Sequence, residues 1–505
     1  MLIAQIEPPH LTRGGDWFYR THAPGRAMSE LDSVSVVDLT NTHRSRDALL
    51  AEADVVVLNM VCDPDLLPVI GERTKRGQLT IYEVNDDVAY MQASNPAAGF
   101  FANPQHQTLF RRLIHSSSAA QFCTPELQRR YGYLNPRQAL FRNQLSWTAA
   151  QRRPRRDPRV VIGWGGSAGH LDDIAHIARP LVEFVHARDD VVLHLMASDR
   201  IVQLFSGLDS SKKRLTPTGS LEDYYTFVAD LDIGIAPLGD TGFNRCRSDV
   251  KFLEYAMHGV VPVLQSLAPY RDAVIAGTTG FFFETTEQLI ATLERLLQEP
   301  ALGDRVSNAA RHYVESERRE RDHAHERIDF YRSLLPTTAA NRFLATDYAA
   351  MPGAEVAGRH VSLNATEYEQ LLHDALVVGQ LQGKRELALR MLRRASEIEP
   401  LRYQPYLFAS SMSDAPLDEL ATCLDKNPLS LSARVARADG LVRNGMSADA
   451  MRELLGAAQI HPAYDLPYAR VAELLERSGQ AAEAREFFLL AQHLRLPLER
   501  NAPPA

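Results

Sequence analysis

Residues 230–263 constrain the fold more than any other stretch of the chain. The apolar segment from Leu231 to Leu238 predicts a buried strand, and a polar loop, GDTGFNRCRSD, follows it. The next segment, VKFLEYAMHG, predicts a helix that ends at Gly259, and VVPVLQ predicts another strand. A strand, a loop, a helix and a further strand in this order form the repeating unit of an α/β fold with a parallel sheet.

Polar residues concentrate where this helix begins. They are Asn244, Arg247, Ser248, Lys251 and Glu254. Open α/β sheets bind ligands beyond the carboxyl ends of their strands, and the amide groups and dipole of a helix N-terminus favour anions. Because two of the five side chains are cations, the sequence predicts an anion-binding site here.

A second unit of the same kind lies about 80 residues upstream. The segment VVIGWGGSAGH, residues 160–170, predicts a strand that leads into a glycine-rich loop, and the helix LDDIAHIARPLVEFVHA follows. This order of elements is typical of phosphate-binding loops. The loop contains neither GK[ST] nor GxGxxG, so it is not a nucleotide-binding motif of either of those types.

The two motifs together resemble glycosyltransferase family 4, in the branch whose signatures read IGWxGSxxHxxDL and FNxxKSxxKxLEYxAxGxP. The matching residues are Trp164, Gly166, Ser167, His170, Asp173, Phe243, Asn244, Arg247, Ser248, Lys251, Leu253, Glu254, Tyr255, Ala256, Gly259 and Pro262. The resemblance implies a GT-B fold, which is α/β with two Rossmann-like lobes and parallel sheets, and a nucleotide-sugar donor bound by the second lobe.

The resemblance also implies roles for these residues. Arg247 and Lys251 would stabilise the leaving diphosphate as catalytic residues, and Glu254 would bind the ribose hydroxyls. The donor-binding set comprises Gly165, Gly166, Ser167, His170, Asn244, Ser248 and Glu254. One position departs from the family: Cys246 stands eight residues before Glu254, where the family carries another glutamate.

Residues 1–150 alternate short apolar strands with helices, which predicts the N-terminal, acceptor-side lobe. Gly14 and Gly15 follow the first strand and are predicted to face the cleft, with a simple turn as the alternative. QLTIYEVNDD predicts a strand whose end delivers Asp86 and Asp87. Asp86 is the candidate to orient an acceptor hydroxyl or take its proton, and Asp87 would lie beside it; a turn or helix cap is the alternative.

Two further features belong to the cleft and the lobe boundary. His10 and His22 lie near the glycine pair and are candidate cleft histidines, or simply solvated loop residues. The arginine-rich segment 151–159 reads as a solvated linker, with contact to anionic lipid or phosphate as the minority interpretation. Residues 151–335 are predicted to form the donor lobe, and 318–335 to cross back onto the first lobe, as the closing helices of GT-B enzymes do.

Residues 336–361 read as a linker, and 362–505 as helical repeats. Gly445 and Gly479 lie 34 residues apart, and the spacing from each glycine to the small residues after it matches the spacing after Gly383. This period resembles tetratricopeptide repeats, whose surfaces bind peptides or partner proteins. A non-repeating helical bundle is the alternative.

Composition narrows the functional classes. The net charge of −8 gives no reason to expect nucleic-acid binding, and the four scattered cysteines show neither a disulfide framework nor metal-ligand spacing. No segment has the length of a membrane span or the pattern of a signal peptide. We therefore expect no metal and no cofactor, only a nucleotide-sugar co-substrate. We also expect a cytoplasmic protein, with a location peripheral to the membrane as the alternative.

The sequence thus predicts a retaining, metal-independent glycosyltransferase. Its partners would be a nucleotide-diphosphate sugar, an acceptor glycan, lipid-linked sugar or protein, and a protein partner held by the repeats. A catalytically inactive scaffold on the same fold is the first alternative, favoured by Cys246 and by the missing strand-end histidine. A sugar-nucleotide epimerase on the same two-lobed fold is the second.

Overall fold

The computed structural model describes residues 1–9, 14–95, 97–146, 158–336 and 344–499. His10, most of the arginine-rich segment and part of the expected 336–361 linker lie outside these ranges. No helix among the described residues is both long enough and apolar enough to cross a bilayer.

An eight-stranded sheet forms the first lobe, in the order β13-β14-β2-β1-β3-β4-β5-β6. Every neighbouring pair is parallel except β13 and β14. Its strands are β1 (Leu2–Glu7), β2 (Ser35–Thr40), β3 (Val55–Asn59), β4 (Leu79–Val84), β5 (Ala119–Phe122), β6 (Gln138–Leu140), β13 (Ala354–Ala357) and β14 (His360–Leu363).

A six-stranded, fully parallel sheet forms the second lobe, in the order β12-β11-β10-β7-β8-β9. Its strands are β7 (Val160–Gly165), β8 (Val191–Met196), β9 (Lys213–Thr216), β10 (Ile233–Ala236), β11 (Val261–Gln265) and β12 (Phe281–Phe283). The strand order reverses between β1 and β3 in the first sheet and between β7 and β10 in the second. Such switch points open the crevices in which α/β proteins bind ligands.

Helices cover both sheets. Those of the first lobe span Gly15–Trp17, Ala23–Ser29, Arg46–Glu52, Leu66–Lys75, Ala98–Phe101, Pro104–Ser116 and Pro125–Tyr131, with a π-helical segment at Phe18–His22. Those of the second span Leu171–His186, Asp199–Val202, Leu221–Ala229, Gly242–Arg245, Val250–Met257, Ala268–Arg271, Thr286–Gln298, Pro300–Glu317 and Glu320–Leu334.

The helix Glu320–Leu334 leaves the second lobe and packs on the first. Its Ala324, Ile328 and Tyr331 are buried in the same apolar cluster as Ile3 and Val36 of the first sheet. The Tyr331 hydroxyl also donates to Gln121 Oε1 at 2.8 Å. The predicted return of the chain to the first lobe is therefore present, and it ties the two lobes together.

The prediction that residues 336–361 form a linker is corrected, because strand β13 and the start of strand β14 lie in this range. β14 pairs in parallel with β2 and ends at Leu363, so the first sheet recruits chain from beyond the second lobe. Without β14, the edge of β2 would leave a row of backbone groups unpaired, and pairing satisfies them. The glycines and alanines around Gly353 and Gly358 hid this short strand pair in the sequence.

The C-terminal region is a series of helices in which each packs on the next. Gly383, Gly445 and Gly479 all take positive φ between consecutive helices, a conformation that suits glycine. The alanine and leucine anchors predicted after them, among them Ala388 and Ala450, are buried, whereas the predicted anchor Phe488 is 58% exposed, and Pro400 and Pro462 are exposed as well. The tetratricopeptide assignment stays a prediction. These helices span Glu367–Leu376, Arg385–Ile398, Gln404–Ala409, Pro416–Lys426, Leu431–Arg443, Ser447–Ile460, Asp465–Arg477 and Ala481–Glu499, with a π-helical segment at Val377–Leu381.

Candidate functional site

The loops that follow β7 and β10 meet at the switch point of the second sheet. Lys251 Nζ donates to the carbonyl oxygen of Gly165 at 2.6 Å. Asp173 Oδ1 accepts from Asn244 Nδ2 at 2.6 Å and from the amide of Gly239 at 2.9 Å. The two motifs that lie far apart in the sequence therefore form one continuous wall of polar groups.

Close packing explains the two glycines of the first loop. A Cβ atom on Gly165 would lie 2.7 Å from the Phe227 ring, and one on Gly166 would lie 2.7 Å from the Trp164 ring. Both distances are too short for real contacts, so side chains here would push the loop away from the sheet. Ser167 follows as an exposed residue, where its backbone and hydroxyl are open to a ligand.

His170 and Asp173 form a buried pair at the start of the helix Leu171–His186. Burial, helped by the nearby Arg247 cation, lowers the pKa of His170 to about 4. The ring is therefore neutral at pH 7, and its Nδ1 donates to Asp173 Oδ2 at 2.9 Å. Asp173, which is fully buried, receives four donors, the fourth being Gln92 Nε2 of the first lobe at 3.5 Å, and it fixes the positions of both loops.

Lys251, Glu254 and Tyr224 form a compact, buried cluster. Lys251 Nζ donates to the Tyr224 hydroxyl at 2.6 Å, and that hydroxyl donates to Glu254 Oε2 at 2.8 Å. Lys251 and Glu254 also form an ion pair at 3.8 Å. Burial lowers the pKa of Lys251 and raises the pKa of Glu254, while each charge favours the ionised form of the other.

Glu254 is also the point where the first lobe reaches the second. The hydroxyl of Tyr19 donates to Glu254 Oε1 at 3.0 Å and lies 3.2 Å from the Tyr225 hydroxyl. Sequence reasoning missed Tyr19 and Tyr224; only the aromatic run that follows Gly15 gave a signal for Tyr19. Because a carboxylate accepts about four hydrogen bonds, Glu254 keeps capacity for ribose hydroxyls beside the two tyrosines.

Arg247 is half-exposed and retains free donors. Its Nε donates to Asn244 Oδ1 at 3.1 Å, and its guanidinium lies 4.9 Å from the centre of the Phe243 ring. Its terminal nitrogens make no hydrogen bond to other described residues, so they are free for an anion. The neighbouring Ser248 Oγ accepts from Asn143 Nδ2 of the first lobe at 2.9 Å and therefore also holds the lobes together.

Asp86 lies across the cleft from Arg247. Burial raises the pKa of Asp86 to about 7, the Arg247 charge lowers it, and Asp16 raises it. The carboxyl group is half-buried, and within the described part of the chain it accepts one hydrogen bond, from the amide of Asp87 at 3.2 Å. A carboxyl group with this pKa exchanges protons near neutral pH, which suits general acid–base work.

The structure corrects the placement of Asp87. Its side chain is fully buried, 2.5 Å from Arg130 Nη1 and 2.5 Å from the Tyr131 hydroxyl, so it is a structural anchor of the first lobe rather than a cleft residue. Consecutive side chains at the end of a strand point to opposite sides, and only Asp86 points to the cleft. Cys246 is buried against the same group, with its Sγ 3.7 Å from Asp87 Oδ2. Its side chain therefore does not reach the cleft.

Gly14 and Gly15 line a cavity together with Asp86, and a Cβ atom on either glycine would meet nothing within 4 Å. Packing therefore does not demand these glycines. His22 instead joins Asp38 and His360, and among the described residues this is the one group whose ligand atoms are close enough to hold a metal ion. None of the three hydrogen-bonds to Lys251, Glu254 or Arg247.

Comparison with known proteins supports the fold. No protein-family model matches the chain, and no curated protein matches it in sequence. The structure of Anabaena Alr3699/HepE in complex with UDP and glucose is similar, with a TM-score of 0.50 and 11% identity over 66% of this chain and 100% of that one. A sucrose-phosphate synthase from Thermosynechococcus elongatus has a TM-score of 0.49 and 13% identity, over 66% of this chain and 99% of the synthase chain. A glycosyltransferase from Rickettsia africae has a TM-score of 0.49 and 11% identity, over 67% of this chain and 99% of that chain.

Two Rossmann-like lobes with parallel sheets, and a cleft at facing switch points, define the class of protein: a GT-B fold followed by a helical domain. The fold prediction made from the two sequence motifs is confirmed.

Proposed function

We propose that this protein is a glycosyltransferase that moves a sugar from a nucleotide-diphosphate donor to an acceptor hydroxyl. The observation that carries the proposal is the polar wall in which Lys251, Arg247 and the Gly165–Ser167 loop converge beside Glu254. Cations and backbone amides that converge at a helix N-terminus stabilise a diphosphate, and a buried carboxylate beside them suits ribose hydroxyls.

The reaction proceeds with retention and without a metal ion. The bond between the anomeric carbon and the phosphate oxygen breaks, and its electron pair leaves with the diphosphate, whose growing charge Lys251 and Arg247 stabilise. The acceptor oxygen bonds to the anomeric carbon on the same face. Its proton passes to the departing phosphate or to Asp86. The cation pair supplies the charge that a metal would otherwise provide, and the His22 cluster lies outside this path.

A panel of nucleotide sugars tests the proposal, with release of free nucleotide as the readout. We expect one donor to be turned over by the wild-type protein, and Lys251→Ala and Arg247→Ala each to lower turnover by about 100-fold or more, the effect typical of losing a transition-state charge contact. Arg305→Ala, an exposed arginine of the same lobe, is the matched control and keeps full turnover. Thermal melting verifies that every variant folds; near-normal turnover in both site variants would overturn the assignment.

A catalytically inactive scaffold is the second candidate. The observations that favour it are Cys246, buried where the family carries a glutamate, and Glu254, which is only 3% exposed. A scaffold of this kind binds nucleoside diphosphates without turnover and uses the helical domain for a protein partner. Binding with no release of nucleotide from any sugar in the panel would favour it over the enzyme.

A further inference from the structure

The first lobe and the helical domain enclose a cavity of about 800 Å³. Its first-lobe wall comes from the loops after β1, β3 and β4 and includes Gly15 and Asp86. Its opposite wall comes from the helical domain and includes Leu376, Gln404 and Phe408. The volume falls in the range of about 300–1,000 Å³ that is usual for ligand sites. The cavity therefore begins at the proposed acceptor carboxyl group and ends on the repeats.

The helical wall is held firmly against the first lobe. Asp65 accepts from the Tyr403 hydroxyl at 2.9 Å, from Ser430 Oγ at 2.8 Å and from the amide of Ser432 at 2.9 Å. Arg402 forms a further ion pair with Asp47. Because Asp65, Tyr403 and Ser430 are buried and hydrogen-bond to one another, the helical domain is a fixed part of the cavity wall.

The side-chain amide of Gln404 is buried without a hydrogen-bond partner among the described residues. The residue is 4% exposed and lines the cavity, yet neither Oε1 nor Nε2 has a hydrogen-bond partner among the described residues. Both atoms are covered from solvent in this conformation, so the amide group must turn about its side-chain bonds to meet a ligand in the cavity. Leaving such a group unpaired costs about 1–3 kcal/mol per atom, so a ligand that supplies one donor and one acceptor side by side is strongly favoured. The N–H and C=O groups along an extended polypeptide provide this pattern.

The other lining residues distinguish a polypeptide from the remaining acceptor classes. Leu376, Leu407 and Phe408 make the helical wall apolar, which suits peptide side chains better than a bare glycan. Among the charged lining residues that the structure describes, Arg46 is the one cation, and it is already ion-paired with Asp63. The others are acids, namely Glu7, Asp16, Asp63, Asp65 and Asp86. An acidic cavity repels the phosphate groups of a lipid-linked acceptor.

We infer that this cavity binds an extended polypeptide segment, with its backbone on Gln404 and a serine or threonine hydroxyl at Asp86, so that the acceptor is a protein. The inference rests on the proposed function for its sugar-transfer step. In that step the hydroxyl oxygen bonds to the anomeric carbon, the sugar–phosphate bond breaks towards the nucleoside diphosphate, and the hydroxyl proton goes to Asp86 or to the diphosphate.

The first experiment measures peptide binding without nucleotide sugar. A fluorescent pool of capped peptides, with a central serine or threonine between randomised flanks, is titrated with the full-length protein by anisotropy. We expect binding that Gln404→Leu weakens about tenfold, the loss typical of one paired polar group. Leu407→Ser, which trims the apolar wall without adding bulk, weakens it as well. Gln459→Leu, an exposed glutamine on another repeat helix, leaves it unchanged.

The second experiment adds the donor identified in the panel and offers, in separate reactions, the best peptide, maltoheptaose, and vesicles that contain a polyprenyl-diphosphate sugar. We expect the sugar on the peptide by mass spectrometry, with a raised KM and an unchanged kcat in Gln404→Leu, and unchanged slow hydrolysis of the donor. Transfer to the glycan or lipid instead, or equal peptide affinity in the wild-type protein and Gln404→Leu, would overturn the inference. Peptide binding with no turnover of any nucleotide sugar would remove the proposed function and leave the peptide site standing.

Discussion

The two walls of the cleft differ in how their polar groups are satisfied. On the second lobe, Asp173, Asn244, Lys251 and Glu254 are paired with one another, so the wall is complete before any ligand arrives. On the first lobe, Asp86 receives one hydrogen bond from the residues that the structure describes, and the Gln404 side chain, contributed by the helical domain, receives none from them. The donor side is preorganised, whereas the acceptor side is completed by its ligand.

The largest effect is expected from a substitution of Asp173, which holds the two loops of the donor wall together. An asparagine there removes the negative charge and leaves one acceptor oxygen for donors that now use both Oδ1 and Oδ2, so charge-assisted hydrogen bonds that hold the two loops are lost. We expect Asp173→Asn to weaken binding of the preferred nucleoside diphosphate by about tenfold to 100-fold and to lower Tm.

Calorimetry measures the affinity, and Asp172→Asn is the matched control. Asp172 is the adjacent residue, is exposed, and accepts only from Ser94 at 3.2 Å. Equal affinities in both variants would show that the donor wall is not preorganised in the way its hydrogen bonds indicate.

An intermediate effect concerns the acceptor wall at Asp86. Burial raises its pKa to about 7, so the carboxylate form increases as pH rises through 7. If the carboxylate orients or accepts the acceptor proton, transfer rises about tenfold per pH unit below 7 and levels off above it. Asp86→Asn removes this rise and lowers the plateau.

The pH profile of kcat/KM from pH 5.5 to 8.5 provides the measurement. Asp209→Asn, an exposed carboxyl group on the second lobe, retains the wild-type profile. If kcat/KM of Asp86→Asn rose with pH as steeply as that of the wild-type protein, another group would cause the pH dependence. Asp86 would then be a turn residue without a role in proton transfer.

The smallest change in affinity is expected from Tyr19→Phe, which removes a hydrogen bond between the two walls of the cleft. Tyr19 of the first lobe donates to Glu254 of the second, where ribose hydroxyls are expected to bind. Because Glu254 keeps capacity for ribose hydroxyls beside Tyr19, Tyr19→Phe should return only part of the about 1.5–3 kcal/mol that a hydrogen bond to a carboxylate contributes, and it should strengthen nucleoside diphosphate binding by about two- to fivefold. Tyr468→Phe, in the helical domain, is the control. A tenfold loss of affinity would instead make Tyr19 part of the ribose site.

Much of the donor lobe could be predicted from the sequence because its determinants are local. The strand–loop–helix order around Lys251 and around Gly165 is encoded by adjacent residues, and both segments fold as expected. The ends of helices at Gly383 and Gly445 were likewise visible, because a glycine between two helical segments is a local signal; the repeat assignment itself stays a prediction. Asp87 was misplaced because strand-end polarity alone does not say which of two neighbouring acids faces the cleft.

The sequence by itself determined the two parallel-sheet lobes, the polar groups of the donor wall and the helical character of the C-terminal region. Only the tertiary structure decided that β14 joins the first sheet, that Tyr19 meets Glu254, and that Gln404 faces the cavity that holds Asp86. The physical reason is the range of the interactions. Periodicity and helix ends are written within a few residues, whereas these contacts join residues hundreds of positions apart and depend on how whole domains pack.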